Sequence, residues 1–241
     1  MRLKLTLEYD GSEFRGWARQ PGERTVEGVV REALDAVFPR WEGLAVAGRT
    51  DAGVHAKGQV ASLDADGGPP PARVPAALNA ALPDDVAVLA AEEVSSDFHA
   101  RFSARSRSYR YRVLAGRTPS PLAARRALWW PRLIDLEALR GAAALLPGEH
   151  DFRAFTPAET QHEGFRREVR EAAWVVDGDR LDFTITADSF LRHMVRTLVG
   201  TMLESGPEAP ARMGALLDGR PRAEGGLTAP PWGLYLEHVE H

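Results

Sequence analysis

The run Gly48-Arg49-Thr50-Asp51-Ala52-Gly53-Val54-His55-Ala56 sets one carboxylate among an arginine and two glycines, directly after the apolar stretch Leu44–Ala47. The stretch reads as a strand and the glycines as a sharp turn at its end, which places Asp51 on a loop at the rim of a sheet. The neighbouring cation Arg49 favours the ionised carboxylate. A fixed, ionised, half-desolvated aspartate can serve as nucleophile or base. Thr-Asp-Ala-Gly is also ordinary turn chemistry, so spacing alone leaves both readings open.

Other chemistries lack their residues. Asp51 and His55 do not make a metal site, which needs at least a third ligand. There is no phosphate-binding loop and no dinucleotide fingerprint. The absence of cysteine removes disulfides, thiolate metal sites, iron–sulfur ligation and thiol nucleophiles together. The expectation is a protein without metal or cofactor.

A second informative region is electrostatic. The formal net charge is −4, yet Phe98–Ile134 holds no aspartate or glutamate and nine arginines: Arg101, Arg105, Arg107, Arg110, Arg112, Arg117, Arg125, Arg126 and Arg132. A stretch of one sign makes a local positive field whatever the total. Its middle, Ser108–Leu114, alternates as a strand, with Tyr109, Tyr111 and Val113 on one face and Arg110 and Arg112 on the other. The arginines are expected to meet phosphate. The tyrosines read either as sheet core or as a stacking surface for a base.

The elements that must position these residues follow from periodicity. Arg2–Tyr9 alternates as a strand. Thr25 caps a helix to about Phe38 whose apolar side carries Val26, Val29, Val30, Ala33, Leu34, Val37 and Phe38. Leu44–Ala47 and Gln59–Leu63 are strands, Val74–Leu82 a short helix, and Val86–Ala91 a strand. The order β-α-β-β-α-β is that of a ferredoxin-like unit. The second half repeats it: strand Ser108–Leu114, a helix from Asp135 to about Leu146, a hairpin Val169–Val176 with Arg180–Ala187, helix Phe190–Glu204 and a closing strand Trp232–Val239. The expected class is α+β with two tandem ferredoxin-like halves, 1–104 and 105–241. Such halves join edge to edge or pack face to face, with a cleft between them. Long connections at Ala115–Pro131, Thr156–Arg166 and Gly206–Pro231 exceed simple turns. At 241 residues a globule buries roughly 70–75% of its unfolded surface. The apolar stretches are too short to span a bilayer and the N-terminus is not a signal peptide, so a cytoplasmic protein is expected.

Gly48–Ala56 resembles the signature of the tRNA pseudouridine synthase A family. Tyr9-Asp10-Gly11-Ser12-Glu13-Phe14-Arg15-Gly16-Trp17 resembles the family's opening motif. Phe98–Ala104 with Arg107, Tyr109 and Tyr111 resembles the middle one, and Gly148–Phe152 and Phe190–Arg196 the later two. They stand in the family's order across nearly the whole chain. Ala18 departs from it, where glutamine usually follows Gly-Trp. The resemblance implies one extended mixed sheet with a central cleft, a homodimer, and an isomerase needing no cofactor. It implies uridine-to-pseudouridine conversion at positions 38, 39 and 40 in the anticodon stem-loop of tRNA. It makes Asp51 catalytic, as attacker of ribose C1′, attacker of base C6, or base toward the C2′ proton. It places Tyr109 at the substrate-stacking tyrosine, with Tyr111 as second choice. Arg49 and Arg196 would position and charge-pair Asp51. On a helical wheel Arg196 falls near Arg192 at the polar edge of the Phe190–Glu204 stripe. His55, His99, His150 and His193 read as structural or phosphate-facing. The residues also admit two other classes, an RNA-binding module without catalysis and a hydrolase using Asp51 and His55.

Overall fold

A computed structural model describes residues 1–160 and 163–241. Gln161 and His162, in the long connection Thr156–Arg166, lie outside the described residues. The protein is α+β, and its chain divides into two compact units. One comprises Met1–Arg105 with Tyr235–His241, the other Ser106–Leu234.

In the first unit, β1 (Arg2–Tyr9) buries Leu3, Leu5, Leu7 and Tyr9 and turns the intervening residues outward, as alternation dictates. Thr25 accepts from the Gly28 amide and starts α1 (Val26–Val37), which buries Val26, Val30, Ala33 and Leu34. Then come β2 (Arg40–Val46), β3 (His55–Asp66), α2 (Val74–Asn79) and β4 (Val86–Val94). β1 lies antiparallel between β3 and β4, and β2 pairs antiparallel with β3. That is the β-α-β-β-α-β order with spatial order 4-1-3-2. β3 begins at His55, four residues before the predicted Gln59. Its first residues have partners on both sides that local pattern cannot reveal: Tyr9 opposite Ala56, and Tyr235 and Leu236 running parallel to His55 and Ala56.

The second unit holds β5 (Ser106–Ala115), β6 (Leu128–Trp130), α3 (Leu136–Ala143), β7 (Gly148–Asp151), β8 (Arg166–Asp177), β9 (Arg180–Ala187), α4 (Met194–Ser205) and α5 (Ala209–Leu216). Its strands run in the order β5-β9-β8-β7, with β6 parallel to β5. Tyr111 lies opposite Phe183, and Phe183 opposite Trp174. The Trp174 indole donates toward Met202 Sδ at 3.5 Å, so α4 covers this sheet face. Three elements fall where the chain carries no periodic signal. β6 and β7 are too short to show a period, and α5 begins with proline in its first turn, where the ring is tolerated.

Two expectations need correction. The helix predicted from Phe190 starts at Met194, because His193 takes a left-handed φ of 63° and breaks the first turn. Arg192 is therefore not on the helix, and the wheel argument that paired it with Arg196 fails. The closing strand is β10 (Leu234–Glu240); from Tyr235 onward it groups with the first unit and pairs with β3.

Candidate active site

Asp51 lies in the loop between β2 and β3 and is half-buried. On one side the loop is held by the backbone of Asp10–Trp17. The Trp17 amide donates to the Thr50 carbonyl at 3.0 Å, the Gly53 amide to the Phe14 carbonyl at 3.2 Å, and the Val54 amide closes a turn on the Asp51 carbonyl at 3.1 Å. The two segments touch so closely that a Cβ at Gly11 would overlap the Val54 carbonyl oxygen. One at Gly16, where φ is +93°, would stand 2.8 Å from the Thr50 carbonyl oxygen. The opening motif and the Asp51 motif are thus one structural object, and its glycines are required by close approach.

Beneath the loop runs a buried polar network that the sequence reading did not find. Tyr9 Oη and Thr50 Oγ1 are 2.7 Å apart. Gln59 Nε2 donates to the Gly48 carbonyl at 2.7 Å and reaches Tyr9 Oη at 3.3 Å, while Gln59 Oε1 accepts from the Val60 amide at 3.1 Å. Burial pushes the Tyr9 phenol up to about 12, against the lowering effect of its bonds to Thr50 and Gln59. Gln59 was legible as an oddity, a polar residue inside the apolar run of β3, but its partner Tyr9 lies 50 positions away in sequence.

His55 is 2% exposed and stacks on Tyr235 with ring centroids 4.7 Å apart, which makes it structural and not phosphate-facing. Its Nδ1 lies 3.1 Å from the Gly11 amide and 3.0 Å from Asp10 Oδ1. Nδ1 can serve only one of them: it accepts from Gly11 in the neutral ring or donates to Asp10 in the charged one. The Gly11 amide donates to Nδ1, and Asp10 Oδ1 accepts from the amide and hydroxyl of Ser12.

Arg49 is exposed and forms no hydrogen bond or ion pair among the described residues, so the expected pairing of Arg49 with Asp51 is absent. Its side chain is left to solvent or ligand.

Tyr109 and Arg196 belong to the second unit. Tyr109 and Tyr111 do share one face of β5, as alternation requires. They differ in surroundings. Tyr111 is fully buried and donates to the Pro230 carbonyl at 2.8 Å. Burial raises its phenol well above the usual range, partly opposed by the nearby Arg196 guanidinium. Tyr109 keeps 9% exposure and meets Phe190 edge-on, with centroids 4.9 Å apart. Arg196 is half-buried on α4; its Nε donates to the Ala229 carbonyl at 2.8 Å while the Ala229 amide returns a bond to the Arg196 carbonyl at 3.0 Å.

On the other face of β5, Arg110 and Arg112 each reach Asp182 at 3.3 Å, and Arg180 approaches it at 3.5 Å. Arg107 donates to the Asp188 carbonyl at 2.7 Å. The counter-charge comes from β9, directly across the ladder from Arg112. Among the described residues no group of three or more His, Asp or Glu could hold a metal ion, and no helix is long and apolar enough to cross a membrane.

A family model described as tRNA pseudouridine synthase matches residues 6–103 and 142–241. The chain belongs to that family. It is an isomerase by membership, which sets aside the non-catalytic RNA-binding and hydrolase classes. A tRNA pseudouridine synthase A of Moorella thermoacetica is 43% identical over 243 aligned residues, covering 99% of each chain. Proteins of the same name from Bacillus pumilus and Myxococcus xanthus are 42% and 45% identical, covering 99% of this chain and 98% and 91% of theirs. The matched segments include the Asp10–Trp17 and Gly48–Ala56 runs, the two pieces that the glycine contacts join.

Proposed function

We propose that the protein converts uridine to pseudouridine at positions 38, 39 and 40 in the anticodon stem-loop of tRNA, with Asp51 as the group that acts on the nucleoside. The reaction breaks the bond from ribose C1′ to uracil N1, turns the base and joins C1′ to C5. The C5 proton leaves, N1 gains one, and no atom is added. The observation that carries the reading is a half-buried aspartate on a loop fixed by backbone contacts to the Asp10–Trp17 segment. Rigid placement of a reacting group is what such chemistry asks of the protein.

Within this reading Tyr109 stacks on the base turned out of the helix, replacing its lost neighbours. Its residual exposure supports it over Tyr111, whose ring is enclosed and whose hydroxyl is bonded. Arg49, exposed and unpaired among the described residues, and Arg196 complete the substrate-binding set. The protein works as a cytoplasmic homodimer, and sedimentation of the purified protein tests the dimer.

The test is release of tritium from tRNA labelled at uracil C5, with anticodon stem-loops carrying uridine singly at each of the three positions. The parent protein releases tritium from each; Asp51→Asn and Asp51→Ala release none and still bind the RNA. Turnover by purified Asp51→Ala removes Asp51 from the chemistry, and release from other positions alone removes the assigned site.

A further inference from the structure

Phe102 is 78% exposed, an unusual place for a phenylalanine. It is not on a loose loop. The His99 amide donates to Ser103 Oγ at 3.0 Å and the Ser103 amide to the His99 carbonyl at 2.9 Å. His99 Nδ1 accepts from the Arg101 amide at 3.1 Å. The turn is anchored beneath: Ala100 is fully buried, its amide donates to Ser62 Oγ at 3.1 Å, and its carbonyl lies 3.0 Å from His241 Nε2. Arg2 Nε holds the preceding Phe98 carbonyl at 3.0 Å.

This framework fixes the ring. The His99 imidazole lies 4.4 Å from the Phe102 ring at 33°, and the Arg101 guanidinium carbon is 5.9 Å from its centroid. The turn opens the stretch of thirty-seven residues without an acid. A rigid aromatic face in water with a cation beside it matches a nucleobase and its phosphate. Part of the conformational freedom that a side chain would lose on binding is already given up to the His99 contact.

We propose that Phe102 is a stacking platform for one unpaired nucleobase of the RNA substrate, outside the Asp51 loop, with Arg101 supplying the adjacent positive charge. The inference rests on the reading that the protein acts on tRNA. It concerns affinity and register, not the bond-making step.

Three variants and one set of RNAs test it. Phe102→Ala and Phe102→Leu remove the flat face, and Phe102→Trp restores it; exposure predicts unchanged melting for all three. The alanine and leucine variants should bind the stem-loop RNA between about fivefold and about a hundredfold more weakly, the range that base–aromatic stacking gives. KM should rise by the same factor with kcat unaltered, and tryptophan should bind like the parent. One abasic nucleotide, scanned singly along the RNA, should weaken the parent as much as Phe102→Ala does and add nothing in that variant. Parental affinity in Phe102→Ala, or abasic effects that all add to it, overturns the platform. So does a change of oligomeric state in Phe102→Ala, which would assign the ring to a second protein copy. Tritium release by the parent separates the outcomes: if the parent is inactive on tRNA the proposed function fails, and if it is active while Phe102→Ala binds normally only the platform fails.

Discussion

Tyr9 Oη lies 2.7 Å from Thr50 Oγ1, and that contact ties the first strand to the residue before Asp51. Both residues are buried, at 3% and 6% exposure, so neither hydroxyl can exchange its partner for bulk water. Gln59 secures the same loop from β3 through the Gly48 carbonyl. The loop is thus held from beneath by side chains and from the side by the Asp10–Trp17 backbone.

Tyr9→Phe keeps the ring and removes the hydroxyl. Leaving Thr50 Oγ1 without its partner costs about 1–3 kcal/mol of stability. Turnover should fall further than RNA affinity, since the loss bears on the placement of Asp51. Thr50→Val should do the same, and the double variant should be no worse than the single ones because they share one bond. Urea melts together with tritium release check this, and parental kcat in a folded Tyr9→Phe protein would refute it.

Tyr9 also sets a limit at high pH. Its phenol is raised from 10.0 to about 12 in the folded protein, and the neutral form is the one folding favours. The stabilisation is fully present below pH 10 and is lost as pH rises through 12. Two units correspond to about 2–3 kcal/mol. Stability of the parent should fall more steeply between pH 10 and 12 than that of Tyr9→Phe. Tyr111, shifted in the same direction, leaves part of the slope in the variant. Equal slopes in parent and variant would mean Tyr9 does not titrate in this way.

Gly11→Ala drives a methyl group into the Val54 carbonyl, a backbone atom that cannot swing aside. Overpacking of this kind costs about 1–3 kcal/mol. The displaced segment is the one that holds Asp51, so turnover should drop while the rest of the fold persists. A variant with parental stability and turnover would show that the two loops yield independently.

Arg110 and Arg112 are ion-paired with a buried Asp182, at 14% and 23% side-chain exposure. Replacing both with methionine leaves Asp182 with Arg180 at 3.5 Å. The expected loss is about 3 kcal/mol of stability, the lower end for breaking a buried pair. The salt dependence of RNA affinity should change by less than about 0.7 in slope, the contribution of one phosphate contact. A slope reduced by two contacts would return both arginines to the RNA.

Tyr109→Leu removes the stacking face while filling much the same space beside Phe190. Stacking of a base on an aromatic ring is worth about 1–3 kcal/mol, roughly a fivefold to hundredfold effect on kcat/KM. Tyr109→Phe keeps the face and should remain near parental activity. A large loss in the phenylalanine variant would give the hydroxyl a part in moving a proton. A folded, fully active leucine variant would make Tyr109 core only.

The strands and helices with clear periods were legible in the chain itself. Leu3, Leu5 and Leu7 announce β1, Thr25 announces the start of α1, and Tyr109 and Tyr111 share a face because alternation leaves no other arrangement. The Gly48–Ala56 run located the aspartate because it is contiguous in sequence. These properties depend on residues within a few positions of one another. Other features depend on partners brought together by folding. Arg110 and Arg112 read as phosphate ligands in the chain, and folding sets Asp182 of β9 opposite Arg112 and within 3.3 Å of both. Arg49 looked like the partner of Asp51 because it is two residues away, yet the loop turns it outward. Phe190–His193 carried a helical pattern that a left-handed His193 interrupts. β10 with β3, and Tyr9 with Thr50 and Gln59, join residues about forty positions apart or more, and no local period encodes such a pairing. Short-range sterics and alternation therefore fixed the elements and the position of the loop that carries Asp51, while long-range backbone approach and buried charge pairing decided what holds it and which arginines are engaged within the protein.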